Sequence, residues 1–121
     1  MSMGPDDLRV RTKAFAVRVV RLYKSLPFSA DAQVLGKQLL RSATSVAANY
    51  RAACRARSRA EWIAKIGVVV EEADESMFWL EMLSDCGVVG SARLKELVNE
   101  ANELTALFTA SRQTARKTGY L

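Results

Sequence analysis

Four helices packed side by side in alternating directions are what this sequence predicts, and three observations predict it. Apolar side chains recur at steps of three and four along four separate stretches, the spacing of one helical face. Helix-stop and helix-start residues punctuate those stretches at Pro27, Ser58, Gly87 and Ser91. No strand pattern, glycine-rich phosphate loop or solenoid-length repeat occurs. Helices joined by short connections lie antiparallel to their neighbours, so the expected fold class is all-α, an up-down-up-down four-helix bundle. The 121 residues make one ordinary domain, residues 1–121, long enough to close a single core without staples.

The first helix is expected to start near Pro5 to Asp7. Proline suits the first helical position, and the two acids oppose the positive end of the helix dipole. Phe15, Val19, Leu22 and Leu26 then share one face, Pro27 stops the helix, and Phe28 to Asp31 reads as a loop. The second helix spans about Ala32 to Arg57. Its stripe is Leu35, Leu39, Ser42, Val46, Asn49 and Ala53, surrounded by Ala43, Ala47, Ala48 and Ala52. Small residues let a neighbouring helix come close. Ser42 and Asn49 on such a stripe need hydrogen-bond partners, and Asn49 is expected to be a buried device that fixes register. Ser58 with Glu61 three positions later is a capping-box pattern opening the third helix. Trp62, Ile66, Val69, Ala73, Leu80 and Leu83 form its inner stripe, and Gly87 is a left-handed stop. Ser91 caps the fourth helix, whose stripe is Leu94, Leu97, Ala101, Leu104 and Phe108. The basic tail from about Arg112 is expected to fray.

Charge is laid out unevenly. The chain has 18 Lys and Arg against 13 Asp and Glu, a formal net charge of +5. From Leu8 to Arg59 there are twelve bases and one acid, Asp31. The third helix inverts this, with Glu61, Glu71, Glu72, Asp74, Glu75, Glu81 and Asp85 against Lys65 alone. Lys37, Arg41, Arg51 and Arg55 project in nearly one direction, because their spacings are close to whole turns. Glu71, Asp74, Glu81 and Asp85 form a comparable acidic stripe. Two readings compete. The acidic and basic helices face each other, within or between subunits, or the basic surface stays open and binds phosphates by counterion release.

Catalytic chemistry is hard to build from this composition. The chain has no histidine, which removes Ser-His and Cys-His nucleophile pairs and imidazole metal ligands. Glu72 and Glu75, flanking the inner stripe with Trp79, are a carboxylate pair able in principle to hold a metal. No second pair lies on another inner stripe, so the expectation is that they bond arginines such as Arg41 or Arg51 at a seam. Trp62 and Trp79 are expected to pack in the core or an interface. Tyr23 and Tyr50 are weaker candidates for stacking on a base. Cys54 and Cys86 lack C-x-x-C spacing and read as small hydrophobes in a reducing cytosol. The opening MSMGPDD has no basic or apolar leader pattern, and the most apolar run, Trp62 to Val70, is interrupted by Lys65. A cytoplasmic location and no membrane partner are therefore expected.

The stretches QLLRSATSVAANYRAA (Gln38 to Ala53), RSRAEWIAKI (Arg57 to Ile66) and EEADESMFWLEML (Glu71 to Leu83) resemble the four-helix-bundle family that includes proteins encoded in intervening sequences of 23S ribosomal RNA genes. The resemblance extends from about Phe15 to Phe108. It implies a bundle that assembles into a ring-like homo-oligomer, typically a pentamer, without catalytic activity. The family is related to the accessory proteins of diversity-generating retroelements, basic pentameric barrels that bind nucleic acid and a reverse transcriptase. Arg41, Ser42, Ser45, Asn49, Glu72 and Glu75 match the family pattern, and the resemblance implies structural or interface roles for them, with Trp79 beside them.

The leading functional expectation is a non-enzymatic, ring-forming protein that binds RNA or DNA without strong sequence preference. Its candidate contacts are Arg18, Arg21, Lys37, Arg41, Arg51, Arg55 and the tail bases Arg112, Arg116 and Lys117. The alternative is an adaptor whose charges serve only self-association and a protein partner. A carboxylate-metal enzyme built on Glu72 and Glu75 is a remote third. No cofactor and no metal are expected.

Overall fold

The computed structural model describes residues 4–118, and all their regular structure is helical. The helices are α1 (Pro5–Lys24), α2 (Ala30–Ala53), α3 (Arg59–Asp85) and α4 (Ser91–Thr118), joined by three connections of five residues each. Connections that short return each helix alongside the previous one. α2 packs on α1 and α3, α3 on α2 and α4, and α1 meets α4 along a much lighter seam. α1 and α3 lie diagonally across the bundle and do not pack on each other.

Local chemistry sets the helix ends. The backbone N–H of Gly4 donates to Asp7 at 3.2 Å, tying down the start of α1. The Ser58 hydroxyl accepts from the Glu61 N–H at 3.0 Å, as the capping pattern predicts. The Glu61 carboxylate closes the other half one residue early, on the N–H of Arg57 at 3.4 Å. Gly87 adopts φ of 72°, and the Val88 N–H reaches back to the Leu83 carbonyl at 2.9 Å, the left-handed stop expected of glycine. Several ends differ from the sequence reading. α1 stops at Lys24, short of Pro27, α2 begins at Ala30 inside the segment read as a loop, and Ser91 is the first residue of α4 rather than a cap before it. α2 stops at Ala53 rather than near Arg57, because the N–H groups of Arg55 and Ala56 turn to carbonyls three residues back and tighten the chain into the next connection. α4 continues as helix through Arg112 to Thr118, the segment expected to fray. The Arg59 guanidinium bonds the Thr118 hydroxyl at 2.6 Å and joins that end to the start of α3.

The core is the one the stripes outline. Phe15, Val19, Leu39, Val46, Ile66, Val69, Leu80, Leu83, Leu94, Leu104 and Phe108 are essentially removed from solvent. Three polar side chains are buried with them, Thr12, Ser42 and Ser76. Ser76 donates to Ser42 at 3.0 Å across the α2–α3 interface. Ser42 gives its one proton to the Leu39 carbonyl, and Ser76 shares its one proton between Ser42 and the Glu72 carbonyl, so neither hydroxyl is left unsatisfied. Asn49 does not perform the register role expected of it. It is half-buried, and its amide donates to the Ser45 carbonyl and hydroxyl one turn back on its own helix, at 2.9 and 2.8 Å. The polar link between α2 and α3 is the serine pair instead.

The light α1–α4 seam is bridged by charge. Arg11 reaches Glu100 through two nitrogens, at 2.8 and 2.6 Å, and Glu103 at 3.1 Å. Its hydrogen bond to Glu100 raises the Arg11 pKa further above its high ordinary value, and burial opposes this only in part. Arg18 stands 3.6 Å from Glu96, and Arg93 bonds the Ser25 hydroxyl at 2.6 Å. Arg11 and Glu100 are only 22% and 15% exposed in their side chains, whereas Glu96 is 90% exposed. Arg11→Ala is therefore expected to cost about 2 kcal/mol by stranding a mostly buried carboxylate. Arg18→Ala should cost under about 0.5 kcal/mol. Urea denaturation of the two variants checks the contrast.

Gly36 marks the closest approach of α1 to α2. A Cβ there would stand 2.6 Å from a Leu26 methyl and 3.0 Å from the Tyr23 ring, and Leu26 is buried. Overpacking of about 1–3 kcal/mol exceeds the gain of about 1 kcal/mol from placing alanine in a helix. Gly36→Ala should accordingly destabilise by about 1 kcal/mol. Gly67→Ala meets only the guanidinium end of the long Arg112 side chain, at 3.4 Å, and should stabilise by about 0.5–1 kcal/mol in the same assay.

Candidate nucleic-acid interface

Antiparallel order places the start of α1, the end of α2, the start of α3 and the end of α4 at one end of the bundle. That end collects Arg9, Lys13, Arg51, Arg55, Arg57, Arg59, Arg116 and Lys117, with Asp6, Asp7 and Glu61 as its acids. The bases come from all four helices, so the concentration exists only after folding.

Within this region α1 and α2 enclose a groove of about 390 Å³. Arg9 and Lys13 form the α1 wall, Arg51 stands on the α2 side, and Thr44, Ala47 and Ala48 make a floor of short side chains. No carboxylate lines it. The floor follows from the alanine-rich sequence of α2, because larger residues at 44, 47 and 48 would fill the trough. Arg9 contacts Asp6 of its own helix, and both are largely solvent-exposed, so that pair costs little to exchange for another anion. Among the described residues Lys13, Lys37, Arg51 and Arg55 have no ion-pair partner. Lys37, Thr44, Ala48 and Arg51 lie along one exposed ridge of α2, at steps of three, four and seven, whereas Arg55, expected to continue that ridge, lies in the connection after α2 because the helix stops at Ala53.

The structure divides the remaining candidates. Arg41 sits on the same ridge but is bound by both Glu72 and Glu75, at 3.1 Å to the former. Glu75 also accepts from the Trp79 indole N–H at 3.1 Å. The carboxylate pair is thus a seam anchor for one guanidinium, as expected, and Arg41 leaves the set of open cations. Among the described residues no group of three or more metal-ligating side chains converges. Arg18 and Arg21 line a separate α1–α4 groove of about 300 Å³ with Arg93 and Glu96, whose mixed charge suits a polyanion less well. Arg112 is half-buried, and its Nε is buried without a hydrogen-bond partner. Its guanidinium lies over Gly67 of α3, so it is a packing residue rather than an outer contact. Arg116 and Lys117 are exposed at the basic end.

Tyr50 offers no face to a base, and Tyr23 is half-buried with its ring edge over Gly36. Tyr50 is buried against Phe108, ring centroids 4.9 Å apart, and burial together with contact to Cys54 pushes its pKa up. The Tyr23 hydroxyl is spent on Gln33 at 3.0 Å. Sequence reasoning passed over Arg9, Lys13, Arg57 and Arg59 as contacts. The signal for them was present in the pairing of antiparallel helices, which sets residue 9 beside residue 51.

No helix among the described residues is long and apolar enough to cross a membrane. A comparison with curated proteins finds no match. Among solved structures, the chain is similar to a crystal structure from Bacteroides thetaiotaomicron VPI-5482, described as a protein with unknown function from the S23 ribosomal protein family. The identity is 34% over 92% of this chain and 99% of the other, with a TM-score of 0.81. The family model described as 23S rRNA-intervening sequence protein matches residues 6–110. With the bundle, its serine-linked α2–α3 pair and its basic end in place, that match shows that the chain belongs to the 23S rRNA-intervening sequence protein family.

Proposed function

We propose that this protein is a non-enzymatic, cytoplasmic homo-oligomer that binds RNA or DNA through phosphate contacts at its basic end. One observation carries the reading. The α1–α2 groove is walled by Arg9, Lys13 and Arg51, floored by uncharged short side chains, and free of carboxylates. A floor without aromatic rings offers no stacking platform. The polyanion is therefore held by its backbone, and the binding is indifferent to sequence. Lys37, Arg55, Arg116 and Lys117 extend the cationic track beyond the groove. The family's name refers to 23S rRNA, which is consistent with RNA as the polyanion. Two cysteines, neither in a disulfide, suit a reducing compartment. Assembly into a ring, with five copies as the family resemblance implies, would multiply the number of cationic tracks per particle.

Anisotropy titrations with duplex RNA, duplex DNA and single strands across a salt series test the proposal. Affinity should fall linearly on logarithmic axes as salt rises. Arg9→Ala and Arg51→Ala should each reduce that slope by about one. Lys95→Ala, exposed on α4 at the opposite end, should leave it unchanged. A salt-independent response, or no binding at low salt, would overturn it.

The adaptor reading keeps one observation in its favour. The outward face of α3 carries acids and exposed apolar groups that nothing among the described residues covers.

A further inference from the structure

The outward faces of α1 and α3 are complementary. On α1, Lys13, Val17, Arg21 and Lys24 are all exposed, and no acid lies between residues 10 and 24. On α3, Asp74, Phe78, Glu81 and Asp85 are all exposed, and no base lies between residues 71 and 85. Val17 is 39% and Phe78 50% exposed, both large apolar side chains left in water. Among the described residues none of these six charged groups enters an intrachain ion pair.

The order of the groups matches as well as their sign. On α1 a base is followed four residues later by an apolar side chain and then by two bases. On α3 an acid is followed four residues later by an apolar side chain and then by two acids. Laid side by side in the same direction, Lys13 falls beside Asp74, Val17 beside Phe78, Arg21 beside Glu81 and Lys24 beside Asp85, each within one residue of register. Single-sign faces of this kind repel themselves and attract one another. Because α1 and α3 are diagonal in the bundle, their outward faces point away from each other and cannot meet within one chain.

We infer that the α3 outer face docks on the α1 outer face of a second copy of this chain, with the two helices parallel. The contact is heterologous, since each copy offers α3 to one neighbour and α1 to the other. α1 and α3 run in the same direction within a bundle, so the parallel contact repeats from copy to copy by a rotation about an axis along the helices, and a ring forms where that rotation closes. The inference deepens the homo-oligomer part of the proposed function and rests on that part alone. Lys13 borders both the groove and this contact, and polyanion binding is tested separately at Arg9 and Arg51, which lie outside the contact.

Sedimentation velocity of the full chain at micromolar concentration and moderate salt provides the test, with far-UV circular dichroism confirming helix content. The wild type should sediment as a multimer of the 13.4 kDa chain. Glu81→Lys with Asp85→Lys should reduce it to a single chain, and so should Arg21→Glu with Lys24→Glu. All four substitutions in one chain restore the pairing with signs exchanged and should recover the multimer. Phe78→Ser, which alters no charge and no buried residue, should weaken association about tenfold or more. A monomeric wild type would overturn the homo-oligomer reading together with this contact. A multimer indifferent to both charge reversals and to Phe78→Ser would overturn this contact alone.

Discussion

The close approach of α2 and α3 around Ser42 and Ser76 is the contact to which the other helices are fitted. Ser42 and Ser76 are both fully buried there, and side chains this short let two helix backbones come together. A short side chain buries little apolar area, so the gain lies in close packing rather than in bulk hydrophobic transfer. The serine pair adds a directional element at the centre of that packing. Both hydroxyls also bond their own helices, so the interface gains a polar link without an orphaned group. α4 then covers the remaining face of α3 with Leu94, Leu97, Leu104 and Phe108, while α1 covers α2 with Phe15, Val19 and Leu22.

Because α1 and α4 are each secured mainly to a central helix, their mutual seam is left to polar groups. Arg11 with Glu100 is the part of it that matters energetically, being the least exposed pair, and the outer pairs are screened by water and salt. The same topology leaves α1 with an outward face that nothing among the described residues covers, and leaves α3 with another on the opposite side.

Charge in this molecule is therefore sorted by topology rather than by composition. An excess of five positive charges spread evenly over a small domain would say little about a partner. Antiparallel packing instead gathers bases from four helices at one end and sets the acids of α3 outward, away from them. An assembly joined through the faces of α1 and α3 would neutralise those acids against Lys13, Arg21 and Lys24. The groove arginines, Lys37 and Arg55 would remain as its net positive surface. Self-association and polyanion binding are then complementary uses of one charge pattern.

The number and order of the helices, most of the buried residues and the pairing of Glu72 and Glu75 with an arginine were legible in the chain alone. Helical periodicity and helix caps are local properties, set by residues three or four positions apart. So was the heptad stripe that carries Ser42. Its partner Ser76 was not, because a lone serine between Ala73 and Leu80 has no local signature, and only the docking of α2 on α3 shows what it meets. The same limit applied to Asn49, which had a partner within its own helix and needed none across the interface. It applied to Arg112, whose place in a basic tail suggested solvent and whose helix laid it over Gly67. The basic end was the largest feature that only the tertiary structure decided, since residues 9, 51 and 116 become neighbours through chain reversal. Sequence fixes which side chains share a helical face, whereas which faces are covered depends on the arrangement of all four helices.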